Sequence, residues 1–85
     1  MLAPKLQKYR LYKITFFDHA VNIDKEILIT AVGFYIKATS HAYVFSHWLV
    51  RHSDRTIVED NLEPFAIVKK AIVKIETFKT QVLLQ

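Results

Sequence analysis

Between Glu26 and Lys37 the chain runs through Ile27-Leu28-Ile29-Thr30-Ala31-Val32-Gly33-Phe34-Tyr35-Ile36, and Gly33 is the only glycine in the whole sequence. A β-branched and aromatic stretch of this length predicts a strand buried on much of both faces. A lone glycine in mid-strand predicts a bulge or sharp bend, of the kind that lets a sheet curl into a barrel. The remainder of the chain points the same way. Val, Ile, Thr, Phe, Tyr and Trp make up 34 of the 85 residues, and these are the types that fit a pleated, half-buried surface.

Around that central strand the others fall into place. Tyr12, Ile14 and Phe16 alternate with Lys13 and Thr15, a period of two that predicts a strand over about 9–17, ending at Asp18-His19. Leu6, Tyr9 and Lys13 also recur at helical spacing, so the N-terminal segment reads as a strand or a short helix through Lys5–Tyr12. Asn22-Ile23-Asp24 is a turn signal. The short polar stretch Ala38-Thr39-Ser40-His41 predicts a hairpin into a second long strand, Ala42 to His52. Residues 51–64 hold four acids and two arginines and read as a solvated connection, with a short strand end at Thr56–Val58. Phe65 to Val68 and Ile72 to Phe78 then form two short strands around the dibasic Lys69-Lys70. The expected fold is all-β: a small, strongly bent, five-stranded barrel in a single domain, 1–85, with 1–8 expected to fray.

A chain of 85 residues without cysteine buries only about 60% of the surface its unfolded form exposes and has no disulfide to compensate. Ten residues from Ile27 to Ile36 form the longest apolar run, well short of the roughly 20 that cross a bilayer as a helix. No membrane partner is therefore expected. Met1-Leu2-Ala3-Pro4 runs at once into Lys5 and Lys8, which is no secretory leader, and the expected location is cytoplasmic.

The formal charge is +4 and it is segregated. Residues 1–13 carry Lys5, Lys8, Arg10 and Lys13 with no acid, residues 14–64 hold four bases and seven acids, and residues 65–85 hold four lysines against Glu76. If the two basic ends meet, they form a cationic face that attracts phosphate. Catalysis finds little footing, since there is no thiol, no glycine-rich phosphate loop and no nucleophile-elbow context for Ser40, Ser46 or Ser53. Asp18 and His19 are adjacent, which on a strand turns them to opposite faces. His41 and His47 would stand about 20 Å apart along a regular strand, with His52 on the other face, so neither a metal nor another cofactor is expected. Aromatics interleaved with bases suit single-stranded nucleic acid, where bases stack on rings and phosphates meet cations. Tyr35, His41, Tyr43 and Trp48 on the hairpin, with Lys37 near its turn, are the candidates. The competing reading of these rings is that they fill a small core.

Gly33-Phe34-Tyr35 followed by Thr39-Ser40-His41-Ala42-Tyr43-Val44-Phe45 resembles the first motif of the Sm-like (LSm/Hfq-type) family, a Gly-x-Leu followed at fixed distance by Asp-x-aromatic-or-His-Met-Asn. Ile67-Val68-Lys69-Lys70-Ala71-Ile72-Val73-Lys74-Ile75 is similar to its second motif in the bacterial RNA-chaperone form, Tyr-Lys-His-Ala-Ile. The chain also resembles small Sm-like proteins of bacteriophage and marine metagenomic sequences, which for a phage-encoded chain implies the host cytoplasm. The resemblance covers about residues 14–78. It implies an Sm-like (SH3-like) barrel, a homo-oligomeric ring closed by edge-strand pairing, and single-stranded RNA bound near the pore. By position His41 would stack a base, and Lys69 and Lys70 would form the basic turn at the nucleotide. Thr39 stands where the family has Asp and Tyr43 where it has Asn, while Val68-Lys69 replaces the Arg-Gly of the archaeal and eukaryotic form. The candidate RNA-binding set is therefore His41, Lys69, Lys70, Thr39, Tyr43 and Lys37. Loss of the Asp and Asn leaves a second reading open, a barrel serving as a structural or protein-binding module, with the acidic 51–64 connection as its contact surface.

Overall fold

The structure, a computed structural model, describes residues 5–18 and 27–78. The expected turn at Asn22-Ile23-Asp24, the imidazole of His19 and the first four residues of the segment expected to fray lie outside them. The fold is all-β. Five strands, β1 (Leu11–Asp18), β2 (Ile27–Ala38), β3 (Ala42–Ser46), β4 (Pro64–Val68) and β5 (Ile72–Thr77), form one antiparallel sheet in the order β4-β3-β2-β1-β5. The outer strands β4 and β5 are joined by a single 3-10 turn, Lys69–Ala71, and are not paired with each other. The sheet is thus open along that seam, where a closed barrel was expected. Among the described residues no helix is long and apolar enough to cross a membrane.

Strand β2 organises the rest because it is long enough to serve two partners. Its residues Ile27 to Phe34 pair with β1, and Phe34 to Ala38 pair with β3. Gly33 sits beside this handover, and an added Cβ there would lie 2.7 Å from the Phe65 ring and 2.8 Å from the Phe45 Cβ. Phe65 belongs to β4, two strands away, so the sheet curls until that ring rests on the β2 backbone. Close approach is what demands glycine at this position. The bulge itself lies further along, where the β2–β3 register shifts between Tyr35 and Lys37 and leaves Ile36 as the extra residue. A second irregularity, between Thr15 and Phe16, leaves Val73 of β5 unpaired and half exposed.

Tyr12, Ile14, Tyr43, Phe45 and Ile67 form the buried core, flanked by Leu6, Phe16, Tyr35, Phe65, Ile72 and Ile75. Tyr12 and Ile14 are the inward residues of the predicted alternation. The ring of Tyr35 meets those of Tyr43 and Phe45 edge-on, with centroids 6.1 and 6.0 Å apart, and Phe45 stacks on Phe65 at 5.8 Å. Edge-on and offset arrangements match the ring quadrupoles. The two-faced burial expected of β2 is not found. Ile27, Leu28 and Val32 are exposed; that half of the strand pairs with β1, and Leu28 and Val32 lie on its outer face, which no second layer among the described residues covers.

Two boundaries differ from expectation for local reasons. The N-terminal segment is not helical over residues 5–10. Tyr9 takes a positive φ of 69°, its N–H donates to the Tyr35 carbonyl at 2.6 Å, and the Tyr35 N–H donates to the Arg10 carbonyl at 2.9 Å. The segment therefore extends the β1–β2 ladder instead of coiling. Strand β3 stops at Ser46, six residues before the expected end at His52. The buried Ser46 hydroxyl donates to the Trp48 carbonyl at 2.7 Å and accepts the Glu63 N–H at 3.1 Å. That side chain turns the chain out of the ladder. The short strand end expected at Thr56–Val58 is a single bridge, Ile57 to Arg51.

Candidate nucleic-acid interface

The turn after β2 is held by its own threonine. The Thr39 Oγ1 accepts the Ala42 N–H at 3.0 Å and donates to the Ala42 carbonyl at 3.3 Å, while the Thr39 N–H donates to the same carbonyl at 2.8 Å. These bonds project Ser40 and His41 from the sheet, and both are exposed. The turn after β4 meets it there. Strand pairing sets Ala42 opposite Val68, and the Lys69 N–H donates to the His41 carbonyl at 2.8 Å. Two sequence segments that read as separate motifs thus share one hydrogen bond, with an exposed imidazole on one side and two ammonium groups on the other.

The six candidate residues have distinct positions. His41, Lys69 and Lys70 cluster at the joined turns. Thr39 spends its hydroxyl inside its own turn. Tyr43 is 5% exposed; it is a core ring, and the Lys69 ammonium lies 5.0 Å from its centroid, a cation–π contact that steers the lysine across the turn. Lys37 is exposed and pairs in register with Val44, whereas its neighbour Ala38 pairs with Tyr43. Successive strand residues point to opposite faces, so Lys37 lies on the other face of the sheet from Tyr43. Two further rings are placed elsewhere: Trp48, beyond the end of β3, donates its indole N–H to the Asn61 carbonyl at 2.7 Å, and His47 stacks on Phe65 at 4.4 Å.

The basic ends do meet, through the pairing of β1 with β5, but part of their charge is neutralised. Lys13 and Lys74 both flank the Glu76 Oε1, at 3.7 and 3.5 Å, and Lys8 lies 3.4 Å from Glu59. Lys70 and Lys37 make no ion pair or hydrogen bond among the described residues. The turn after β4 therefore keeps a cation open to phosphate at Lys70, whereas Lys13 and Lys74 on the β1–β5 face are tied to Glu76. No group of three or more His, Asp or Glu residues among the described ones is placed to hold a metal ion.

A cavity of about 360 Å³ adjoins the dibasic turn, lined by Phe17, Asp18, Val68, Lys70 and Ala71. Its Phe17 and Asp18 were not among the residues singled out for RNA. They arrive there because β1 pairs with β5, setting Phe16 opposite Ile72 just beyond the turn, a long-range pairing that no local spacing reveals.

The opposite end of the sheet has another character. Tyr9 donates its phenol to the Glu59 Oε1, and Lys8 lies beside the same carboxylate. The Tyr9 hydroxyl and then Lys8 hold the Glu59 carboxyl below its ordinary range, and the same carboxylate pushes the Tyr9 phenol up. Asp54 accepts the Thr56 hydroxyl at 2.7 Å and the Thr56 N–H at 3.0 Å, which lowers its carboxyl too. No protein-family model, curated protein or solved structure matches the chain.

Proposed function

We propose that the chain is an Sm-like RNA-binding protein that assembles as a homo-oligomeric ring and holds single-stranded RNA at His41, Lys69 and Lys70. The observation that carries this reading is the 2.8 Å bond from the Lys69 N–H to the His41 carbonyl. It joins the two segments that resemble the family's motifs, so that His41, Lys69 and Lys70 stand at adjoining turns. An imidazole stacks a base and an ammonium attracts phosphate without regard to sequence. The open edges support the oligomer. Strands β4 and β5 each leave one side unpaired, and Val68 and Val73 on them are half exposed. Pairing β4 of one copy with β5 of the next would cover both edges.

Fluorescence anisotropy with labelled octauridine tests the site. Lys69→Ala/Lys70→Ala should weaken binding at low salt and flatten the dependence of log K on log salt by about 1.4, two phosphate contacts at roughly 0.7 each. Undiminished binding with the original slope would remove the two lysines from the interface.

A second reading has a specific observation behind it. Thr39 and Tyr43, which stand at the family's Asp and Asn positions, are committed to the turn and the core. That arrangement favours a structural or protein-binding module presenting the acidic 51–64 connection. Recovery of one protein partner and no nucleic acid from a pull-down would select it.

A further inference from the structure

The cavity beside the dibasic turn sets two kinds of group that the site above leaves unused, apolar side chains and a carboxylate, beside its Lys70. Phe17 is 36% exposed and Val68 55% exposed, so two apolar side chains face solvent at its wall. Asp18 and Lys70 are exposed there as well, and neither makes an ion pair or hydrogen bond among the described residues. Two other carboxylates of the fold are consumed, Glu76 between two lysines and Glu59 between Lys8 and Tyr9. Here an open carboxylate, an open ring and an open ammonium line one cavity.

Each group restricts what can bind. An aromatic ring with aliphatic neighbours offers a stacking surface to any flat base. An ionised carboxylate only accepts hydrogen bonds, so it selects among bases by their donors. Guanine presents N1–H and the N2 amino group side by side, two parallel donors for two carboxylate oxygens. Uracil presents N3–H between two carbonyls that a carboxylate repels. Adenine and cytosine place their amino group next to an acceptor nitrogen, which also faces the second oxygen badly. Lys70 supplies the cation for a phosphate attached to the same nucleoside. A volume of about 360 Å³ lies within the usual range for small-ligand clefts.

We propose that this cavity is a guanine-preferring subsite, with Phe17 stacking the base, Asp18 accepting from N1–H and N2–H, and Lys70 meeting the adjoining phosphate. The proposal rests on the RNA-binding reading above and adds base selection to it. It also gives the chain a carboxylate at the nucleotide, from the end of β1, although Thr39 supplies none from the β2–β3 turn. The ligand is a guanine base bearing a phosphate, within an RNA strand.

The test compares labelled octauridine with the same strand carrying one central guanosine, on the original chain and on Asp18→Asn, with a thermal melt as the check on folding. A good bidentate pair is worth roughly 1–3 kcal/mol of discrimination, equivalent to about 5–150-fold in affinity. The guanosine strand should therefore bind at least about fivefold more tightly than octauridine, and Asp18→Asn should bring the ratio close to one, because an amide offers guanine a donor where it needs an acceptor. No guanosine advantage in the original chain, or an advantage that survives Asp18→Asn, overturns the subsite while leaving RNA binding intact. Loss of binding to both strands overturns the RNA reading and this one with it. Amide NMR shifts at Phe17 and Ala71 on adding guanosine monophosphate, equal to those with uridine monophosphate, would also overturn the preference. Larger shifts with the guanine nucleotide would support it for free nucleotide and strand alike.

Discussion

The two ends of this sheet treat their polar side chains in opposite ways. At the end formed by residues 47–63 and 5–10, a set of polar side chains fixes the chain: Ser46 ties Trp48 to Glu63, Trp48 reaches Asn61, Asp54 caps Thr56, and Tyr9 and Lys8 share Glu59. At the end formed by the turns after β2 and β4, backbone bonds and Thr39 do the fixing, and His41, Lys70 and Asp18 are left facing solvent. A short chain with a small core needs the first kind of end to hold its irregular connection. The contrast teaches that exposure of charge alone does not mark a site here, since Glu59 and Asp54 are exposed too. What distinguishes the second end is that unspent Asp18 and Lys70 stand with the exposed Phe17 ring around one cavity.

Gly33→Ala would break the comparison altogether, because both ends hang from the same curl of β2. Its Cβ would press against the Phe65 ring and the Phe45 Cβ, and overpacking of this kind costs about 1–3 kcal/mol. A melt should show Tm lower by roughly 5–20 °C, with RNA affinity falling alongside it. An unchanged Tm would mean that the close approach of β4 to β2 is not part of the fold in solution. Ser46→Ala should act on one end only. Removing a buried hydroxyl leaves the Trp48 carbonyl and the Glu63 N–H without it, worth about 1–3 kcal/mol. Hydrogen exchange should rise over residues 47–63 while octauridine binding is retained. Loss of binding in this variant would show that the two ends are coupled.

Glu59→Gln is the smallest and sharpest of these changes. The Glu59 carboxyl is held below its ordinary range by Tyr9 and Lys8, so the contact contributes above the unfolded carboxyl value and is lost as pH falls through the lower folded value. The Tyr9 ring resonances should therefore shift on acidification below the usual carboxylate range, and the shift should vanish in Glu59→Gln. Both carboxylate and ammonium are exposed, and the Tm change should be less than that of Ser46→Ala. A Tyr9 shift that persists in the variant would detach this contact from Glu59.

Much of the strand order was legible because it rests on local pattern. The alternation at Tyr12, Ile14 and Phe16 identifies β1 and its inward face, and Lys69-Lys70 between two apolar runs locates the last turn. Glycine 33 announced a special position, although its reason is the approach of a ring from β4 and the bulge falls at Ile36. What was not legible depends on partners distant in sequence. Strand β3 ends where it does because Ser46 is captured by Glu63, and the exposure of Leu28 and Val32 on β2 reflects an outer face that no layer among the described residues covers, which composition does not report. The candidate site divides the same way. His41, Lys69 and Lys70 could be named from the motifs they resemble, whereas Phe17 and Asp18 join them only through the β1–β5 pairing.

The central claim is a closed ring of identical subunits that holds RNA at the turns after β2 and β4. A native mass spectrum of the purified protein, recorded before and after nuclease treatment, reads both parts at once. The account predicts a single closed oligomer of the 10.0 kDa chain, with extra mass that nuclease removes. A monomer near 10.0 kDa without bound nucleic acid would contradict it.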